Sequence, residues 1–405
     1  MATREHETDR TKPLPIDVTA ESSARIRRGA TNAFDPTEKL SRSPRASATN
    51  LRAPRMQSGS VPKPSSSAPN AESTVEALHR RVDRDPFDVF SWQLLRDRYV
   101  ADGLHHRARY VSEVRAELDV ADGTDRKLIR KFKPLVARAR PRSLRASVLR
   151  SLDAKGSPDP IGDLLREIRH ALPKIFAPQQ ANIGTEVRDR SLLGLLDQLE
   201  RVTDARSYGI TMSTGLNRQL NIEFTTPTTI VIASELRLKP VAEQAARIAL
   251  PLLLLTNGFE ALQKLTPHEI DVLLCAATRV ILPDFGRELT NEDLLCDQAK
   301  IIQKSIPRKR RDTLQKLAAD FATSPPQDVG RWCASTLAQH QRIAAILCDH
   351  LHSALAPLRV QSTTREQETV ERMWTNEPRA LDLLRSWASE EAFALRVHLG
   401  TLAPA

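Results

Sequence analysis

The chain has 405 residues, enough for two or three domains with ordinary cores. Its formal charge of +10 and pI near 9.7 invite a nucleic-acid reading, but aromatics make up only 4%, few for the stacking platforms that single strands need. The four cysteines, Cys275, Cys296, Cys333 and Cys348, form no CxxC pair, which excludes a zinc ribbon and argues against a disulfide framework.

Residues 1–72 are rich in Ser, Pro, Ala, Arg and Thr and carry few large apolar side chains. Such a segment buries too little surface to offset its ordering entropy, so a disordered tail is expected. Thr31, after Arg27 and Arg28, and Ser43, between Arg42 and Pro44, are candidate phosphorylation sites, with an accidental Ser/Arg-rich tail as the plainer alternative. The opening MATREHETDRTKP has no apolar stretch of the kind a signal peptide needs.

Residues 73–121 read as a helical hairpin. Val75, Leu78 and Val82 form a helical stripe, and Pro86 stops that helix. Two antiparallel helices follow, joined at Asp102-Gly103. Trp92, Leu95, Tyr99 and Ala108 fall at the spacing of a tetratricopeptide repeat. An ordinary helical hairpin is the alternative. One and a half repeats do not stand alone and must lean on a neighbour. His105 and His106 read as the polar start of the second helix rather than a ligand set.

Residues 122–158 are a basic linker with helices. From Arg126 to Arg150 there is no acid, and Lys304 to Arg311 reads KSIPRKRR. These two stretches are the candidate nucleic-acid contacts, with a solvated basic face as the other reading.

Residues 159–405 form the body. Helices are expected from Pro160 to Phe176 and from Arg190 to Val202. Three short alternating strands follow, Ser207 to Met212, Asn217 to Phe224 and Thr228 to Ala233, and everything after Pro240 is helical. Thr266-Pro267-His268-Glu269 is a capping box with Pro at the first helical position. Thr290 is expected to open the next helix, Pro307 another, and Pro325-Pro326 to precede a long helix through Trp332, His340, Asp349, His350 and His352. The fold class is therefore mostly α (α+β), with a small three-stranded sheet. The longest apolar run, Ile248 to Leu255, is too short to span a bilayer. No membrane contact and a cytoplasmic location are expected, and the cysteines read as small buried side chains of a reducing compartment.

Motifs for chemistry are scarce. GxGxxG, GxxxxGK[ST] and GxSxG do not occur. His268-Glu269 has Val272 where a zinc peptidase carries its second His, and His6-Glu7 has Arg10 there. His350 and His352, two apart, point to different helix faces.

The order of elements resembles the HExxH gluzincin metallopeptidases. More specifically it resembles tetratricopeptide-repeat proteins of myxobacteria that carry a degenerate copy of that domain. The segments are RRVDRDPFDVFSWQLLRDRYVADGLHHRA, IGDLLREIRHALPKIF, TTIVIASELRLKPVAEQAARIALPLLLL, DVGRWCASTLAQHQRIAAILCDHLHSAL and LLRSWASEEAFALRVHLG. The resemblance puts Leu250 and Leu254 at the two His positions and Pro251 at the general-base Glu. It puts Ala345 at the third ligand if Asp349 is the family's helical Asp. Pro251 should also kink its helix. The implied protein has no catalytic residue, metal or cofactor. It is a non-catalytic scaffold with an unknown protein partner, gripping through Trp92, Leu95 and Tyr99 and through a cleft beside Leu250 and Leu254. Nucleic-acid binding and a residual hydrolase with an unrecognised site are the alternatives.

Overall fold

The computed structural model describes residues 74–132, 144, 159–176, 184–214, 216, 220–289, 291–324, 328–359, 374–375 and 377–402. The expected tail, with Thr31 and Ser43, lies outside them, as does most of the basic stretch beyond Phe132.

The hairpin region is four helices: α1 (Val75–Arg84), α2 (Val89–Ala101), α3 (His105–Glu117) and α4 (Gly123–Lys131). Thr74 and Asp88 cap α1 and α2 by accepting from the backbone N–H three residues on. Gly103, at φ +75°, makes the tight turn between α2 and α3. The helix α4 docks on the hairpin. Asp122 and Asp125 form its capping box, and Asp125 also takes Arg96 at 2.9 Å and Arg115 at 3.0 Å from α2 and α3.

The body begins with α5 (Pro160–Ile168), a 3-10 turn (Arg169–Ala171) and the short α6 (Leu172–Ile175). One continuous helix was expected here. Pro173 has no N–H to offer the Arg169 carbonyl, and the chain tightens there instead. Next come β1 (Thr185–Glu186), α7 (Arg190–Thr203), β2 (Gly209–Ser213), β3 (Leu220–Glu223) and β4 (Thr229–Ala233).

The sheet has four strands, not three, in the order β1-β2-β4-β3. A strand of two residues carries no alternation, so β1 left no trace in the pattern. β2 runs parallel to β4, while β1 and β3 flank them antiparallel. β2 starts at Gly209 rather than Ser207, because Ser207 sits at φ +58° and cannot continue a strand.

A 3-10 turn (Ser234–Leu238) leads into α8 (Val241–Asn257), which Gly258 ends in the left-handed conformation. Then follow α9 (Ala261–Lys264), α10 (Pro267–Thr278), α11 (Glu292–Ser305), α12 (Arg311–Thr323), α13 (Val329–Cys348), α14 (Leu351–Arg359), α15 (Pro378–Trp387) and α16 (Glu390–Leu399). The Thr266–Glu269 capping box is present. The cap of α11 is Asn291, not Thr290, with Asp293 N–H donating to its side chain. The long helix stops at Cys348, because Asp349 turns left-handed at φ +47°.

Two apolar clusters make the core. One joins the hairpin to α7, α8, the second half of α13 and α14 to α16. The other gathers α5, α10, α11, α12 and the first half of α13. Leu250 on α8 packs against both. The hairpin therefore shares its core with the body, and it leans on α14, α15 and α16 of its own chain. No helix among the described residues is long and apolar enough to cross a membrane.

Candidate functional site

The positions that the resemblance singles out lie along the seam between α8 and α13, the most extensive helix–helix contact among the described residues. The helix α8 runs on through Pro251 without ending. Leu254 is wholly buried, Pro251 is buried, and Leu250 is half-buried. Ala345 faces the same core at 3% exposure. Alanines at 245, 246 and 249 let the helices approach closely. The cavity described below is not lined by Leu250 or Leu254.

The hairpin residues are placed otherwise than expected. Trp92 and Leu95 are 0% exposed and Tyr99 is 1% exposed. Trp92 donates its indole N–H to the Pro86 carbonyl at 2.8 Å, and Tyr99 meets Phe393 of α16 edge-on. These side chains are part of the core of this structure. On this helix the exposed aromatic is Phe90, at 64%.

The histidines also find partners. His340 is buried, and its Nδ1 lies 2.8 Å from the Thr336 carbonyl. His350 reaches Ser353, and His352 lies 2.9 Å from Glu117. His105 and His106 pack on Phe132. Among the described residues no group of three or more His, Cys, Asp or Glu is arranged to hold a metal ion. Cys275, Cys333 and Cys348 are buried and Cys296 is half-buried. Burial pushes the Cys275 and Cys348 thiols up to about 12.

Two polar assemblies join residues that lie far apart in the sequence. The first is a buried charge quartet. Arg109 and Glu113 of α3 pair at 2.7 Å, and Arg109 reaches Asp349 at 3.1 Å. Arg396 of α16 lies 3.4 Å from Asp349 and donates to the Trp387 carbonyl at 2.8 Å. All four side chains are at most 7% exposed. Two cations balance two anions, and the Arg396 guanidinium also stacks 3.7 Å from the Tyr110 ring centroid. The quartet ties the hairpin to the α13–α14 corner and to α16.

The second assembly fastens α1 to α16. His79 Nε2 lies 2.8 Å from the Tyr99 hydroxyl, which donates to Glu390 at 3.3 Å, and Arg107 donates to Glu390 at 2.8 Å. Burial lowers the His79 pKa below its ordinary 6.5; Glu390, Asp83 and Glu391 oppose the shift, and Arg107 adds to it. The unfolded imidazole therefore binds a proton more readily than the folded one. Its neutral burial stabilises the fold above pH 6.5, and that contribution is lost as pH falls through the lower folded value. Wild-type Tm is expected to fall more between pH 7.5 and 5.0 than that of His79→Gln, measured by circular dichroism melts. Parallel curves would refute the assignment.

Of the second basic stretch, Arg310 folds back onto Glu167 at 2.7 Å and lies beside His170. Arg308, Lys309 and Arg311 are exposed. In the first stretch, Arg126 to Lys131 belong to α4. No family model, curated protein or solved structure matches this chain.

Proposed function

We propose that this chain is a non-catalytic binding or scaffold protein of the cytoplasm, built on a peptidase-like body without a metal. The observation that carries this reading is the α8–α13 seam. Leu250, Leu254 and Ala345 stand where the resemblance puts three metal ligands, and none of them has a donor atom. A catalytic zinc needs about three protein ligands and a bound water. The hairpin of β3 and β4, the turn that follows, α8, and the later helix packed on α8 keep the order that the resemblance implies.

Trp92, Leu95, Tyr99 and Leu254 are buried and Leu250 is half-buried, so this reading places the partner contact on another surface. The tail, through Thr31 and Ser43, supplies a regulated second contact. Capture of partners from native lysate, read by mass spectrometry alongside metal analysis of the purified chain, tests the proposal. A reproducible protein partner and metal far below one atom per chain are expected. Stoichiometric zinc with chelator-sensitive cleavage of a substrate would overturn it.

A second reading, nucleic-acid binding, draws on the exposed Arg308, Lys309 and Arg311. It requires affinity for duplex DNA that falls steeply with salt. Undetectable binding at moderate salt removes it.

A further inference from the structure

A cavity of about 400 Å³ opens where the end of α1, the middle of α13, the outer face of α15 and the first turns of α16 meet. Its floor is aliphatic, formed by Ile343, Ile346 and Leu395, each at most 5% exposed. The rim is charged. Arg342 is occupied, donating to both oxygens of Asp382 at 2.6 and 2.5 Å. Asp83, Glu391 and Arg385 remain, two anions against one cation, and among the described residues none of them has an ion pair within 4 Å. Both carboxylates are exposed at the mouth. Burial and the like charge of Glu391 raise the Asp83 pKa, while His79 and Arg385 lower it. These two carboxylates repel each other across a greasy floor, in a chain whose overall charge is strongly positive.

We propose that this cavity is a docking site for an arginine side chain of a partner polypeptide, its methylene stem on Ile343, Ile346 and Leu395 and its guanidinium between Asp83 and Glu391. An aliphatic stem ending in a cation covers an apolar floor while keeping its head at the wet rim. The planar guanidinium presents several N–H donors in a fixed fork, which suits two carboxylates better than the single ammonium of lysine. The volume lies within the range of sites for small ligands and leaves room for flanking main chain. Arg385, on the same rim and likewise without an ion pair within 4 Å among the described residues, is placed to meet a peptide carbonyl.

This deepens the binding-protein reading by naming the chemistry of the partner. The probe is a fluorescein-labelled hexapeptide with one central arginine, compared by anisotropy with its citrulline counterpart, which keeps the shape and loses the charge. The arginine peptide is expected to bind the full chain. Affinity should fall at least tenfold for the citrulline peptide and at least tenfold for the Asp83→Asn/Glu391→Gln variant, whose Tm should match wild type because both side chains are at the surface. Equal binding of the two peptides, unchanged affinity in the variant, or no binding by wild type overturns the site. Competition by free arginine methylamide as strong as that by unlabelled peptide overturns the polypeptide assignment. A lysate partner captured equally by wild type and the variant removes this site while leaving the scaffold reading intact.

Discussion

Replacing Asp349 with asparagine is expected to lower the unfolding free energy by about 3–5 kcal/mol, the usual cost of stranding one partner of a buried ion pair. Asparagine tolerates the left-handed backbone that position 349 adopts, so the loss reports charge rather than backbone strain. Without that carboxylate, Arg109 and Arg396 share only Glu113 inside the core. The double variant Asp349→Asn/Arg396→Met restores the balance of one cation and one anion and should recover at least half of the loss. Urea denaturation midpoints of the three proteins decide the matter. A single-variant cost under 1 kcal/mol, or no recovery in the double variant, would show that the quartet is not electrostatically balanced as described.

The second large effect is expected at Trp92. Trp92→Ala empties a fully buried indole site and leaves the Pro86 carbonyl without its donor, a loss of about 3–5 kcal/mol. Phe90→Ala, two residues earlier on the same helix but exposed, should change stability by only about 0.5 kcal/mol. The contrast separates a core role for Trp92 from a recognition role. If Trp92→Ala kept wild-type stability and lost only partner affinity, the hairpin would have to open in the functional state. Both variants are measured by the same urea titration.

Much of the helical layout was legible from periodicity and caps. The stripe of Val75, Leu78 and Val82, the turn at Gly103 and the Thr266 capping box all carry their signals within a few residues. The spacing of Trp92, Leu95 and Tyr99 marked a hairpin correctly, but periodicity reports that a side chain is apolar and facing inward. It says nothing of a second, outward use. The end of α13 was hidden because Asp349 is flanked by apolar residues at helical spacing on both sides, and the left-handed turn comes from the tertiary setting. Likewise Arg109 and Glu113 are a readable i, i+4 pair, whereas Asp349 and Arg396 lie hundreds of residues away, and no local pattern predicts that four charges cancel in one core. The same limit applies to the cavity floor: Ile343 and Ile346 read as an ordinary inward stripe, and only the packing of α15 and α16 leaves space over them.

The span between Tyr99 and Glu390, 291 residues, sets a timetable for the newborn chain. A ribosome adding about 5–20 residues per second leaves the hairpin exposed for about 15–60 s before its covering helices are even made. Over that interval Tyr99 and Tyr110 lack the Phe393 and Trp387 rings that later cover them, so the nascent hairpin is a natural client for a chaperone, and a pause or truncation between residues 132 and 377 would release a sticky fragment rather than a small folded domain.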